Sequence, residues 1–294
     1  MDYDVIIIGG SYAGLSAGLQ LARARRSVLV IDAGERRNRY AAASHGFLTQ
    51  DGAAPGDIAA LGRAQLLKYG TVRWLQDEAR DAQALEGGFA VVAGAGSRHT
   101  ASRLVLATGV RDELPDIPGL AERWGRHVFH CPYCHGYELE QGPVGVLAVS
   151  ELSLHQALML PDWGPTTLFL NEVFEPDAGQ SAQLRARGAR IVRGRVARLD
   201  GAADVVMQDG SVHALAGLFV ATRVRPGGLP AQLGCALEDG PMGPFVRTDA
   251  MKATTVSGVF ACGDVARPAG SVALAVGDGA MAGAATHRSL MFGL

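Results

Sequence analysis

Cysteine is scarce in this chain, with four residues in 294, and two of them, Cys235 and Cys262, stand alone and far apart. That excludes a disulfide-stapled secreted scaffold and fits a reducing cytoplasm. Lysine is almost missing. Of 27 basic residues only Lys68 and Lys252 are lysine, leaving 25 arginines, a bias read first as genome composition. Neither sign of charge dominates. The net charge is −2 and the isoelectric point about 6.4, so nucleic acid and anionic membrane surfaces are not favoured as partners. No run reaches about 18 uninterrupted apolar residues, so no transmembrane helix is expected. The first residues lack the basic, apolar and small-residue order of a signal peptide, and a cytoplasmic protein is the expectation. What is present is a core: the chain is 48% hydrophobic and 19% charged, enough for one large domain or two ordinary ones.

The two remaining cysteines lie in Cys131-Pro132-Tyr133-Cys134-His135-Gly136. Thiols with two residues between them close a small disulfide with little backbone movement. Such a pair serves as a redox disulfide, as half of a zinc site, or as a staple. A structural zinc needs a second pair at ligand spacing. His130 and His135 flank the cysteines but sit too close in sequence to complete a tetrahedron comfortably. The spacing favours redox chemistry over metal.

At the amino terminus, Val5-Ile6-Ile7-Ile8 is a continuous β-branched run, the mark of a strand buried on both faces. Gly9-Gly10-Ser11-Tyr12-Ala13-Gly14 follows, then an Ala- and Leu-rich helix over Leu15 to Arg25, then the strand Val28-Leu29-Val30-Ile31 ending in Asp32. This is the dinucleotide-binding order of strand, glycine turn, helix, strand and acid. Gly9 makes the tight turn, amides at the helix start face a pyrophosphate, and Asp32 can accept from a ribose hydroxyl. Ser11 replaces the usual middle glycine, the mildest change available. Together these point to FAD or NAD rather than a plain turn. Beyond Asp32, residues 33–40 read as a polar loop and Ser44-His45-Gly46-Phe47-Leu48 as a polar tip with an apolar brace. Val72-Arg73-Trp74 with Glu78-Ala79-Arg80 reads as a strand and its exit. Leu104 to Gly109 is a second buried strand, and Val110 to Gly119 a linker.

Near the carboxy terminus, Gly258 to Val265 reads as a strand ending on Gly263-Asp264, and Ser271 to Ala285 as a helix of small residues that lets something approach its backbone. An acid at 264 could hold a ribityl chain, with the helix amino terminus facing the pyrimidine end of a flavin. Cys262 reads as a buried apolar thiol, and so does Cys235.

The glycine turn, the central Cys-x-x-Cys and the late Gly-Asp together resemble the low-molecular-weight thioredoxin reductase family over essentially the whole chain. That resemblance implies an α/β fold of two Rossmann-like three-layer nucleotide-binding domains, the second inserted into the first. Residues 1–114 and 245–294 would form an FAD domain, and 115–244 an inserted NAD(P)-binding-like domain carrying the redox pair. Gly9, Ser11, Tyr12, Ala13, Gly14 and Asp32 would then hold the FAD adenosine and pyrophosphate. Asn38 and His45 would lie near the flavin and Ala79 near the adenine. Asp264, Val272 and Ala273 would hold the ribityl chain and ring. The family is usually homodimeric.

Two departures matter. His135 stands where the family has an acid after the second cysteine. In the inserted domain, Ala148-Val149-Ser150-Glu151 replaces the glycine-rich turn between a strand Val144–Leu147 and a helix Leu152–Leu160. Each Cβ blocks the approach of a pyrophosphate. Asn171 and Glu172 follow the strand Thr166–Leu170, where the family has an arginine cluster for NADP. NADP(H) is therefore a doubtful cofactor. The pattern resembles the branch of FAD dithiol oxidases that close disulfides in gliotoxin, holomycin and romidepsin. The leading expectation is an FAD-dependent dithiol oxidase acting on a small-molecule or peptide dithiol, with oxygen as acceptor. The alternative is a thioredoxin-reductase-like reductase fed by NADPH or another donor, with a thioredoxin-like protein as partner. A flavin-binding sensor without turnover is the third. Cys131, Cys134 and a base, His135 or else His130, would carry the chemistry.

Overall fold

The computed structural model describes residues 1–293. The chain opens with β1 (Tyr3–Ile8), α1 (Tyr12–Arg23), β2 (Val28–Asp32), α2 (Pro55–Leu66), β3 (Val72–Gln76), β4 (Ala79–Leu85), β5 (Gly88–Ala93) and β6 (Arg98–Leu106). It continues through β7 (Val110–Glu113), β8 (Val128–Phe129), α3 (Pro132–His135), β9 (Val144–Leu147), α4 (Leu152–Met159), β10 (Thr166–Phe169), α5 (Ala178–Ala186) and β11 (Arg190–Val192). Then come β12 (Val196–Asp200), β13 (Asp204–Met207), β14 (Val212–His213) and β15 (Gly217–Val220). The chain closes with β16 (Arg223–Pro226), α6 (Leu229–Gln232), β17 (Leu237–Gly240), β18 (Gly243–Val246), β19 (Val259–Ala261) and α7 (Val272–Phe292). Contacts divide it into two compact units: Met1–Arg39, Phe47–Arg111 and Val224–Leu294 form one, and Tyr40–Gly46 with Asp112–Arg223 form the other.

The first unit is built on a sheet ordered β3-β2-β1-β6-β5-β4, with β19 also on β6. The β1, β2, β3, β6 and β19 pairings are parallel, and β4–β5–β6 run antiparallel. Continuous apolar strands suit this sheet because both faces are covered. Val5 and Ile7 feed one core with Val28 and Val30, whereas Ile6 and Ile8 feed the opposite core with Leu29 and Ile31. Helices α1, α2 and α7 cover the first face. The α6–β18 stretch covers the second through Leu229, Leu233, Cys235 and Val246.

The second unit has a parallel sheet ordered β11-β10-β9-β15-β8 and an antiparallel sheet β12-β13-β14. Ala157, Leu160 and Leu184, from α4, its carboxy-terminal end and α5, pack on one face of the parallel sheet, and Val196, Leu199, Val205 and Met207 of the antiparallel sheet on the other. Both units are thus three-layer α/β folds.

Several elements differ from expectation. The supposed exit after Val72-Arg73-Trp74 is a second strand, β4, because Ala79 to Leu85 pairs with β5. The supposed linker begins as β7. Helix α7 runs on to Phe292, seven residues past Ala285. The second contact boundary falls at Arg223/Val224, earlier than the Pro244 expected, because Leu229, Leu233, Cys235 and Val246 pack into the first unit's core.

Helix α7 reaches α1 closely enough that a Cβ on Gly279 would meet the Ala13 carbonyl oxygen and one on Gly283 the Ala17 carbonyl oxygen, whereas one on Gly277 would meet nothing within 4 Å. Overpacking typically costs about 1–3 kcal/mol, while an open helical Gly→Ala gains about 0.5–1 kcal/mol. Gly279→Ala should therefore lower the thermal midpoint of the flavin-loaded protein, and Gly277→Ala should hold or raise it. Equal effects in a melting experiment would contradict this packing.

Candidate redox-active site

Every βα turn has to dispose of helix amides that no earlier carbonyl can take. In the first unit the turn is held from behind. Gly9 has φ +102, and a Cβ there would run into the Ala107 carbonyl. Asp32 accepts a hydrogen bond from the Gly10 amide at 2.9 Å, and Gln76 Nε2 donates to the Asp32 carbonyl at 2.8 Å. Ser11 is extended at the start of α1 and makes no side-chain cap. The first-turn amides of α1 are thus left without a side-chain acceptor, at the positive end of a 12-residue helix. An anion such as a pyrophosphate fits there.

Around that turn, the Tyr12 hydroxyl donates to the Pro55 carbonyl at 3.1 Å and bonds Asn38, whose Nδ2 lies 3.1 Å away. Arg36 Nε and Thr108 Oγ1 are buried with no partner among the described residues. Gly263 has φ +75, and Asp264 after it binds Arg37 Nη1 at 3.0 Å. Ser271 caps α7 by accepting from the Leu274 amide at 3.2 Å, which sets Val272 and Ala273 in its first turn. Ala79 begins β4, half-buried. All of these belong to the first unit. A dinucleotide with a long polar chain would satisfy the open amides, Thr108 and Arg36 together.

The corresponding turn of the second unit is closed from within. The Ala148 amide donates to the Phe169 carbonyl at 2.9 Å, the Val149 amide to Ser153 Oγ at 3.1 Å, and the Leu152 amide to Ser150 Oγ at 3.3 Å. After β10, Asn171 and Glu172 both take positive φ, +49 and +57, and Asn171 Oδ1 accepts from the Val196 amide at 2.9 Å. Two arginines do approach this loop from the β11–β12 connection, which the strand-by-strand reading missed. Glu172 holds Arg195 at 3.6 Å, and Glu175 holds Arg193 through Nε at 2.9 Å.

The cysteine pair sits after β8. Cys131 is extended, φ −121 and ψ 120, Pro132 opens α3, and the Cys134 amide donates back to the Cys131 carbonyl at 3.3 Å. Proline at the first helical position needs no amide partner and fixes φ. Gly136 is needed because a Cβ would meet the Trp163 ring and the Pro132 carbonyl. Tyr133 meets Trp163 edge-on, with centroids 5.2 Å apart. Both cysteines are half-buried, and Gln156 of α4, only 5% exposed, donates to the His130 carbonyl at 2.9 Å.

His135 stacks on Phe129 with centroids 4.5 Å apart and ring planes 25° from parallel. Burial pushes its pKa below 6.5, the Glu138 carboxylate pulls it back up, and His45 adds a further downward push. The imidazole is therefore neutral near pH 7, with a lone pair available as a base. His45 lies in the second unit, its Nε2 3.3 Å from Glu138 Oε1. Phe129, Glu138 and Gln156 were not singled out in the sequence, because the stack on His135, the pair with His45 and the bond to the His130 carbonyl depend on packing. No three His, Cys, Asp or Glu side chains among the described residues form a metal-holding group. Cys235 and Cys262 are buried, and burial followed by the Asp278 charge pushes the Cys262 thiol up to about 12. No helix among the described residues is long and apolar enough to cross a membrane.

A family model for pyridine nucleotide-disulphide oxidoreductases matches residues 3–161. Thioredoxin reductase tcpT of Claviceps purpurea is 34% identical over 305 residues, covering 98% of this chain and 94% of tcpT. The crystal structure of an oxidoreductase from Agrobacterium tumefaciens aligns with TM-score 0.97 and 61% identity over 99% of both chains. That of HlmI aligns with TM-score 0.90 and 38% identity over 98% of this chain and 92% of HlmI. The chain belongs to the pyridine nucleotide-disulphide oxidoreductase family and is an FAD-dependent disulfide oxidoreductase of the thioredoxin-reductase-like type.

Proposed function

We propose that this enzyme is a dithiol oxidase that closes a disulfide in a small-molecule or peptide substrate, with oxygen as the final acceptor. The observation that carries the reading is the contrast between the two turns: the first-turn amides of α1 have no side-chain acceptor, whereas in the β9–α4 turn the Val149 amide donates to Ser153 Oγ and the Leu152 amide to Ser150 Oγ. One dinucleotide fits the first turn, and the paired amides and the Cβ atoms of the second oppose another. The likeness to thioredoxin reductase tcpT favours the reductase alternative, and the closed turn weighs against NADPH as its donor.

Gly9, Ser11, Tyr12, Ala13, Gly14 and Asp32 hold the FAD adenosine and pyrophosphate in this reading, with Asn38, Ala79, Asp264, Val272 and Ala273 along the rest of the cofactor. Bound FAD supplies a two-electron acceptor that restores the cysteine pair and is itself reoxidised by oxygen. The chain's own work is thiol exchange. One substrate thiolate attacks the Cys131 sulfur of the Cys131–Cys134 disulfide. The S–S bond breaks, Cys134 leaves as thiolate, and a mixed disulfide forms at Cys131. The second substrate thiol then attacks the substrate sulfur of that bond and releases Cys131. The substrate loses two electrons and two protons, and the enzyme pair gains the two electrons. Thiolate is the reacting species, and an ordinary thiol with pKa near 8.5 is mostly protonated at pH 7. His135 takes the substrate proton; His130 is the alternative base. The enzyme is proposed to be a cytoplasmic homodimer.

Three outcomes test this reading. Cys131→Ser and Cys134→Ser should each abolish oxygen uptake with a dithiol while FAD stays bound; turnover by Cys134→Ser would overturn the relay. NADPH at about millimolar concentration should reduce the flavin slowly or not at all, and rapid saturable bleaching by micromolar NADPH would make the reductase the correct reading. The third outcome concerns pH. A base works when deprotonated, so its contribution is lost as pH falls through its pKa, and burial places that limb below pH 6.5 for His135. His135→Ala should cost roughly 10²–10⁴-fold at neutral pH and leave a rate that climbs only toward the thiol's own ionisation. An unchanged profile would remove His135 from the mechanism.

A further inference from the structure

Asp278 lies on α7 with only 8% of its side chain exposed, and two cations converge on one of its oxygens. Lys252 Nζ stands 2.8 Å and Arg267 Nη1 2.9 Å from Oδ1. Asp278 Oδ2 and Arg267 Nε are buried with no partner among the described residues. A buried ion cluster of this kind adds little net stability, because desolvation offsets its attraction. Its consequence is geometric, and it falls on one turn.

The two cations come from the two flanks of that turn. Strand β19 ends at Ala261, whose amide donates to the Lys252 carbonyl at 3.0 Å. Gly263 follows with φ +75, so close to α1 that a Cβ there would come 2.9 Å from that of Ala13. Arg267 stands directly after the 3₁₀ turn Asp264–Ala266. The chain then folds back, because a Cβ on Gly270 would collide with the Asp264 carboxylate. Asp278 thus fastens the end of β19, through Lys252, and the exit of the turn, through Arg267, to the helix whose first turn carries Val272 and Ala273. Lys252 holds φ +67, unusual for a residue with a long side chain, and is bonded at both its carbonyl and its ammonium group.

We propose that Asp278 is a positioning residue for the cofactor, clamping both flanks of the Gly263–Asp264 turn through Lys252 and Arg267 in the geometry that FAD requires. The proposal rests on the reading of Asp264, Val272 and Ala273 as holding the ribityl chain and ring. One cation is enough to neutralise one carboxylate; two, from either flank of a turn, make a bracket. Arg37 Nη1 holds the Asp264 carboxylate itself at 3.0 Å, and the clamp holds the backbone that carries it.

The experiment uses the FAD-loaded enzyme with R267Q and K252Q, each of which leaves one ion pair to Asp278, and D278N, which removes both. The first readout is amide hydrogen exchange over residues 259–270. The second is FAD affinity, from the flavin fluorescence released on dilution. R267Q and K252Q should each speed exchange in this stretch selectively, including the Ala266 amide that donates to the Gly263 carbonyl at 2.9 Å. Each should weaken FAD binding about tenfold, the factor for losing one charge-assisted hydrogen bond. R267K keeps the charge and should restore most of both, and D278N should exceed either single loss. Exchange that stays unchanged, or that rises evenly over the first unit as a merely structural cluster would require, overturns the proposal. Faster exchange confined to the turn with FAD affinity unchanged keeps the clamp and removes Asp264 from the cofactor site.

Discussion

The first turn of a helix carries backbone amides that no preceding carbonyl can reach, and how each helix in this protein meets that demand decides what it can bind. Helix α5 is closed by a reciprocal box in which Asp177 accepts from the Gln180 amide and Gln180 accepts from the Asp177 amide. Helix α7 is capped by Ser271. At the start of α4 the Leu152 amide donates to Ser150 Oγ, and in the turn before it the Val149 amide donates to Ser153 Oγ. Helices α1 and α2 both lack a side-chain cap, but α2 opens on Pro55, which has no amide to satisfy, whereas α1 follows a glycine turn. An uncapped helix start favours an anion beside it. The second unit keeps the strand–turn–helix geometry but spends its amides internally. A pyrophosphate there would have to break two hydrogen bonds worth about 0.5–1.5 kcal/mol each, clear three Cβ atoms and face Glu151. The two units are therefore alike in fold and unlike in chemistry, and the difference lies in a handful of side chains.

The same logic of partners governs the thiols. Cys262 is fully buried beside Asp278, so its charged form is opposed by both desolvation and a like charge. Cys235 is buried against Thr254, and burial again raises its pKa. Neither can compete as a nucleophile at neutral pH. Cys131 and Cys134 differ by place: they follow a two-residue edge strand, straddle the start of a short helix, and remain half-buried beside an imidazole. Environment separates two reactive thiols from two inert ones in a chain that has only four.

Much of this was legible in the sequence because it depends on neighbours along the chain. The run Val5–Ile8, the turn from Gly9 and the acid Asp32 are local signals, and each appears where its pattern places it. The Cys-x-x-Cys spacing likewise carries its own geometry. What was illegible depends on distant pairing. Ala79 to Leu85 becomes a strand because β5 lies beside it, not because of its own polar composition. Helix α7 passes Ala285 because Gly283 seats it on α1 and Ser289 holds Arg103 through Oγ at 2.7 Å. The arginines Arg193 and Arg195 reach the loop after β10 from twenty residues further along, and reach it already paired to Glu175 and Glu172. His45 could be read as a polar tip near a flavin, but nothing local could pair it with Glu138.

The surroundings of His135 bear on why a histidine can replace an acid after the second cysteine. A carboxylate beside a thiol would be a poor base at neutral pH unless burial raised its pKa, and it would repel the thiolate it creates. A buried neutral imidazole has neither defect, but burial alone makes it a weaker base than a free one. The stack on Phe129, with centroids 4.5 Å apart, holds the ring beside the cysteine turn, so this position gains a nitrogen lone pair without a negative charge against the sulfur.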